Sequence, residues 1–235
     1  MTYKFSDGAK DSIPIAVGYF SVSFTFGIMA AGMGIDPLIC GIISLTNLTS
    51  AGQFAGITLI SAGAAYIEMF LTQFIINLRY GLMSLSLSQH LSTDVKLWQR
   101  FVMAYGITDE NFAVAVSKKY PVNFKYMVGL ILPSAISWTL GSLAGAFFRN
   151  LLPASVQSAL GIALYGMFIA IILPPATENK WVAVVSVIAA VCSLMFKFLP
   201  LLNRVSGGFV IIICTILAST IGALLFPVDE EEGKA

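Results

Sequence analysis

A polar stretch, NLTSAGQFAG at residues 47–56, interrupts an apolar run that extends from Pro37 to Ala62. Membrane helices rarely carry such residues at mid-span without a functional or packing reason. If the helix opens at Ser50, Gly52 and Gly56, the start of its second half would attract a carboxylate and the freed carbonyl groups would face an ammonium group. The sequence thus predicts a site for a zwitterionic amino acid. The candidate substrate-binding residues are Asn47, Thr49, Ser50, Ala51, Gly52, Gln53 and, in the next run, Asn77. The alternative is a continuous helix whose Asn47 and Gln53 bond across a helix bundle.

Charged and amide side chains near the apolar runs form a second group of candidates. Glu68 and Arg79 lie on one predicted helix, about 16 Å apart along its axis, which is too far for an ion pair. Arg79 is interpreted as an interfacial anchor or as the partner of a distant carboxylate, and Glu68 as an interfacial cap or, if deeper, a proton carrier. Thr108, followed by two acids, is typical of a helix start and would also border a cavity. The candidates for coupling or gating are Glu68, Gln73, Arg79, Asp109 and Glu110.

The elements that must position these residues are membrane helices. The chain of 235 residues is 57% hydrophobic and 11% charged, whereas soluble domains usually carry about 25% charged residues. Its apolar runs are each long enough to cross a bilayer, and they lack the short alternating pattern of a β-barrel. We therefore predict an all-α, polytopic membrane helix bundle in a lipid bilayer. The runs are Ile13–Met33, Pro37–Ala62, Ala64–Ser88, Tyr126–Phe148, Val156–Leu173, Trp181–Leu199 and Val205–Phe226.

The number of spans depends on residues 101–117. If this segment crosses the membrane, the chain has about eight spans; if it lies at the surface, there are seven, with residues 37–62 as a re-entrant segment. The loops rich in Lys and Arg place both termini in the cytoplasm.

The two halves of the chain are also similar, because SFTFGIMAAGMGIDP from Ser23 resembles SWTLGSLAGAFFRNLLP from Ser137. This similarity predicts a single transporter domain over 1–235 with parallel four-helix repeats at 12–119 and 125–227, the second helix being broken. Gly27, Gly141 and Gly145 are expected to allow close helix packing.

Other functional classes find little support in the sequence. The net charge of +1 gives no indication of nucleic-acid binding, and no nucleophilic triad, phosphate loop or metal-ligand cluster occurs, so neither an enzyme nor a cofactor is predicted. Cys40, Cys192 and Cys214 have no paired spacing and are interpreted as buried apolar residues. The tryptophans, including Trp138, are assigned to the interface belt.

Three ordered motifs resemble those of a known family. LTSAGQFAG, TQFIINLRYGLMSLSLS and GITDENFAV, after the opening IPIAVGYFSVSFTFGIMAAGMG, are similar to the AzlC family, the large subunit of branched-chain amino-acid exporters. The resemblance covers essentially the whole chain. It implies export of Leu, Ile, Val or related apolar amino acids, driven by the membrane potential or the proton gradient, together with a small AzlD-type membrane subunit. The positions that match are Ala51–Gln53, Asn77–Tyr80 and Thr108–Glu110.

We therefore predict a secondary transporter subunit of the inner membrane that exports a small apolar amino acid. A passive channel and a non-transporting assembly subunit are the alternatives. Saturable exchange would distinguish a transporter from a channel, and an assembly subunit would tolerate loss of Gln53 or Asn77 without loss of transport.

Overall fold

The computed structural model describes residues 2–200 and 202–225, and the described residues are almost entirely helical. This confirms the predicted all-α fold class. The helices, in chain order, are α1 (Phe5–Gly32), α2 (Pro37–Thr46), α3 (Ser50–Ser61), α4 (Tyr66–Gln89), α5 (Leu97–Tyr105), α6 (Asp109–Val116), α7 (Phe124–Phe148), α8 (Ala154–Glu178), α9 (Lys180–Phe198) and α10 (Gly207–Leu225).

Several helices are long enough to cross a membrane. Among the described residues, four segments combine sufficient length with sufficient hydropathy: Phe5–Gly32, Phe124–Leu151, Lys180–Phe198 and Gly207–Leu225. The helices α4 and α8 contain 24 and 25 residues, so at 1.5 Å per residue each is about 36 Å long and exceeds the hydrocarbon thickness of about 30 Å. The architecture is therefore a membrane helix bundle.

The second apolar run is broken, as predicted, but at a different place. α2 ends at Thr46 and α3 begins at Ser50, so the interruption covers residues 47–49. The prediction that the helix opens at Ser50, Gly52 and Gly56 is wrong, because all three lie within α3. Asn47 has extended backbone, with φ −143° and ψ 91°.

A second break divides residues 101–117. α5 and α6 contain 9 and 8 residues, or about 14 and 12 Å, so neither alone crosses the hydrocarbon region. Residues 106–108 separate them. The predicted crossing by residues 101–117 is therefore a pair of short helices rather than one continuous helix.

The chain divides into two compact units, the first formed by Met1–Ser61 and Ile76–Gly161. Within it, α1 and α7 pack with their backbones in contact, as predicted from the glycines. A Cβ atom at Gly27 would overlap the Ser142 carbonyl oxygen, and one at Gly145 would overlap the Phe24 carbonyl oxygen. Only glycine permits this separation, since any side chain would push the helices apart.

The second unit is formed by Ala62–Ile75 and Ile162–Ala235. Within it, α9 and α10 pack side by side, with Gly222 against Val185. The thiols of Cys192 and Cys214 lie 3.4 Å apart across this contact and are both reduced. The positions of the two cysteines in the sequence did not predict that their thiols lie close together. The parallel repeats at 12–119 and 125–227 stay a prediction.

Candidate functional site

The break between α2 and α3 is held by side chains from α4. Thr49, which is 4% exposed, donates a hydrogen bond from Oγ1 to Asn77 Oδ1 at 2.8 Å. The Tyr80 hydroxyl donates to the same Thr49 oxygen at 3.2 Å. Thr49 Oγ1 also lies 3.4 Å from the backbone nitrogen of Gly52, in the first turn of α3. One threonine therefore joins the start of α3 to the NLRY segment of α4.

The carbonyl end of this break has a partner as well. A helix leaves its last carbonyl groups without intrahelical donors. The Tyr105 hydroxyl, at the end of α5, donates to the carbonyl oxygen of Leu45 in the last turn of α2 at 2.6 Å. The two interrupted helix pairs, α2/α3 and α5/α6, therefore meet at their breaks.

Arg79 forms an ion pair with Asp109 at the start of α6. Arg79 Nη1 lies 2.9 Å from Asp109 Oδ2 and 3.1 Å from Oδ1, and Nη2 donates to the Tyr80 hydroxyl at 3.1 Å. The two side chains are 38% and 36% exposed. The ion pair therefore joins α4 to the start of α6.

The start of α6 is capped as the sequence predicted. Thr108 Oγ1 accepts a hydrogen bond from the backbone nitrogen of Asn111. Tyr19 of α1 lies 2.6 Å from the same Thr108 oxygen and donates to Glu110 Oε2 at 2.6 Å. Arg79, Asp109 and Glu110 together bring two carboxylates and one guanidinium to this region. The cluster has one excess negative charge and would attract a cationic group.

Asn111 is fully buried and only partly satisfied. Its Nδ2 donates to the Gly106 carbonyl at 2.9 Å and to Ser134 Oγ at 3.3 Å. Its Oδ1 has no hydrogen-bond partner among the residues that the structure describes. Buried polar atoms are nearly always paired, so an acceptor is left open beside the second break.

Gln53 lies in a separate buried network. Trp138 Nε1 donates to Gln53 Oε1 at 2.7 Å, and Gln53 Nε2 donates to Ser44 Oγ at 3.1 Å. Ser44 Oγ in turn donates to Ser142 Oγ at 2.6 Å. This is the bonding across the bundle that the sequence offered as the alternative for Gln53. Trp138 is 3% exposed, so its assignment to the interface belt is wrong.

The other predicted residues occupy varied positions. Asn47 is exposed, Ser50 and Ala51 are half-buried, and Gly52 is buried in the first turn of α3. Glu68 and Gln73 belong to the second unit, whereas Arg79, Asp109 and Glu110 belong to the first. The structure therefore brings Thr49, Asn77, Arg79 and Asp109 into one chain of contacts.

Glu68 is buried at the start of α10, with 5% of its surface exposed. Its Oε1 accepts from the Ser206 hydroxyl at 2.5 Å and from the backbone nitrogen of Gly208 at 3.0 Å. An anionic side chain is favoured there by the helix dipole. Glu68 thus caps the start of α10, and its predicted position at the membrane interface stays a prediction. No group of three His, Cys, Asp or Glu side chains forms a possible metal site among residues 2–200 and 202–225.

Sequence reasoning missed three residues of this region: Tyr19, Tyr80 and Asn111. Tyr80 belongs to the NLRY motif and Asn111 directly follows the TDE motif, so both motifs contained a signal. Nothing in the sequence linked Tyr19 to its partners Thr108 and Glu110, because they are 89 and 91 residues away.

The comparisons with known proteins agree with the motifs. The family model described as AzlC protein matches residues 14–152. The inner membrane protein YgaZ of Escherichia coli K12 is 32% identical over 177 residues, which cover 72% of this chain and 72% of YgaZ. An uncharacterized membrane protein of Archaeoglobus fulgidus is 36% identical over 177 residues, covering 72% of this chain and 75% of its own. No solved structure matches significantly. The chain is therefore a membrane protein that belongs to the AzlC family.

Proposed function

We propose that the protein is a secondary transporter subunit that exports a small apolar amino acid, of the branched-chain type, across the inner membrane. One observation carries the proposal: the two helix breaks meet α4 through a continuous set of hydrogen bonds. It runs from Thr49, which also bonds Asn77, through Tyr80 and Arg79 to Asp109. Broken helices with polar side chains near mid-span are how many transporters bind amino acids.

The carboxylate of the substrate binds at the start of α3 or on Arg79. The first turn of α3 contains no acidic residue, so the positive end of its dipole is not neutralised there. Arg79 has a carboxylate partner in Asp109, and a substrate carboxylate would replace it with similar geometry.

The ammonium group binds on the acidic side of the same cluster. Release of Asp109 from Arg79 leaves its carboxylate available to a cation, next to Glu110. The open Oδ1 acceptor of Asn111 supplies a neutral oxygen beside the second break. Asp109 thus contacts Arg79 in one state and the substrate ammonium in the other. A ligand shifts a protein between two states only if its contacts differ between them.

The remaining parts of the proposal come from the family resemblance and from the distribution of charged residues. Transport is coupled to the proton gradient or to the membrane potential, both termini lie in the cytoplasm, and a small AzlD-type membrane subunit completes the transporter. The chain is not an enzyme and needs no cofactor in this proposal.

Counterflow in proteoliposomes tests the proposal. The chain is reconstituted with its small partner subunit, the vesicles are loaded with unlabelled leucine, and uptake of labelled leucine is followed. We expect saturable exchange. Absence of exchange with both subunits present contradicts the proposal, and flux that rises linearly with concentration indicates a passive channel instead.

Variants of the ion pair make the test specific to the site. We expect Arg79→Gln to lower leucine exchange at least 10-fold, because both the carboxylate contact and the switch of Asp109 are lost. Arg204→Gln removes an exposed arginine of the second unit and serves as the matched control with normal exchange. Equal exchange by both variants would exclude Arg79 from the mechanism.

A further inference from the structure

A half-open cavity lies between the C-terminal half of α4 and α5, on the first unit, and extends to Ile107 of the second helix break. Its volume is about 260 Å³, and Arg100 is its one charged lining residue. Leu87, Met103 and Ile107 form its buried floor, with exposures of 1%, 1% and 8%. Leu97 and Phe101, at its rim, are 70% and 71% exposed. An apolar floor with an exposed apolar rim is suited to a hydrocarbon chain.

The cation at this cavity is Arg100. Among the residues that the structure describes, Arg100 forms no ion pair with a carboxylate. Lys96 lies one helical turn before it, on the same side of α5, and is exposed. The cavity therefore combines one positive charge with a mostly apolar lining.

The position of α5 along the membrane normal follows from its neighbours. The segment before it, residues 90–96, contains His90, Asp94 and Lys96, which are suited to the headgroup region. Trp98, in the first turn, packs edge-on against Phe124 with ring centroids 5.2 Å apart. Tryptophans and basic residues of this kind anchor helices at the membrane interface. These neighbours favour a position of Arg100 near the lipid phosphates.

We propose that this cavity binds one anionic phospholipid, with part of an acyl chain in the cavity and the phosphate on Arg100. A mostly apolar lining with one cation matches the two parts of such a lipid, its acyl chain and its phosphate. Basic pockets at helix ends recognise anionic headgroups in this way. A free amino acid would leave its ammonium group without a partner here, because no carboxylate lines the cavity.

Native mass spectrometry of the purified full chain tests the proposal. The protein is offered phosphatidylglycerol or phosphatidylethanolamine with identical acyl chains, at equal concentrations. We expect phosphatidylglycerol to be retained preferentially, with Arg100→Gln lowering its binding about five-fold and Arg100→Lys restoring most of it. Lys180→Gln removes an exposed cation at the start of α9 and is expected to bind both lipids like the parent protein.

A second variant tests the cavity itself. Ala104 lines the cavity, and Ala104→Phe is expected to lower binding of both lipids without changing the headgroup preference. Thermal unfolding of each variant identifies any that fails to fold. Equal retention of the two lipids, or unchanged binding in both Arg100→Gln and Ala104→Phe, overturns the proposal. Displacement of the lipid by leucine or by inorganic phosphate also overturns it, because the site would then bind a small solute. These outcomes do not depend on whether the protein transports leucine.

Discussion

The hydrogen bond between Gln53 and Trp138 joins α3 to α7, and its removal gives a quantitative test of this buried network. Gln53→Leu leaves the Trp138 N–H without its acceptor, and Trp138→Phe leaves the Gln53 Oε1 without its donor. An unsatisfied buried polar group costs about 1 to 3 kcal/mol. The double variant removes donor and acceptor together, so neither is left unpaired, and its destabilisation is expected to be smaller than the sum of the two single effects.

The expected coupling free energy between Gln53 and Trp138 follows from the geometry of their hydrogen bond. The donor–acceptor distance is 2.7 Å and both side chains are buried, at 1% and 3% exposure. Interhelical hydrogen bonds in membrane proteins couple by about 0.6 kcal/mol on average and up to about 1.7. The short distance favours the upper half of this range. At roughly 2–4 °C per kcal/mol for a chain of this size, the melting temperature of the double variant should exceed the additive value by about 2–6 °C.

Thermal unfolding of the four proteins in one detergent measures this coupling. Additivity within about 0.3 kcal/mol would refute the reasoning, because independent sites behave in that way. Transport gives a second readout. If Gln53 contacts the substrate directly, Gln53→Leu raises the KM for leucine regardless of the residue at position 138. If it acts through the network, both single variants affect transport only to the extent that they destabilise the protein.

Three further predictions concern helix packing. Gly145→Ala is expected to destabilise the protein by about 1–3 kcal/mol in thermal unfolding, because its Cβ would overlap the backbone of α1. Gly81 has open space around it, so Gly81→Ala should be neutral or slightly stabilising. Equal effects of the two variants would contradict the close contact between α1 and α7. Copper-catalysed oxidation should join Cys192 and Cys214 in a disulfide, since their sulfurs lie 3.4 Å apart. Neither cysteine should then react with maleimide after unfolding. Continued labelling would show that α9 and α10 lie farther apart. Glu68→Ala should lower stability by about 1–3 kcal/mol, because the N–H of Gly208 in the first turn of α10 loses its acceptor. A melting temperature equal to that of the parent chain would exclude the capping role.

The sequence predicted local features better than distant contacts. Thr108 followed by two acids identified the start of α6 because a helix cap is formed by neighbouring residues. The polar stretch at 47–56 identified a broken helix but not its position. Several small and polar residues there have similar helix propensity, and the contact of Thr49 with Asn77 and Tyr80 is a tertiary interaction.

The wrong assignment of Trp138 to the interface belt also results from a tertiary contact that the sequence does not show. A tryptophan in an apolar run is usually an interface residue because its N–H needs a polar partner. Here that partner is Gln53, 85 residues earlier in the chain. Propensity and hydropathy contain no information about such a pair, so the same two residues were assigned separately to a substrate site and to a membrane belt.

The glycine contacts between α1 and α7 also determine which parts of the first unit are able to move. Two helices whose backbones touch at Gly27 and Gly145 cannot slide along each other, since any axial shift would bring a carbonyl oxygen against a Cβ atom. The pair therefore acts as a fixed axis for the unit. If the protein transports by alternating access as proposed, rotation of the short segments α2, α3, α5 and α6 about their breaks is the movement that this fixed pair leaves available.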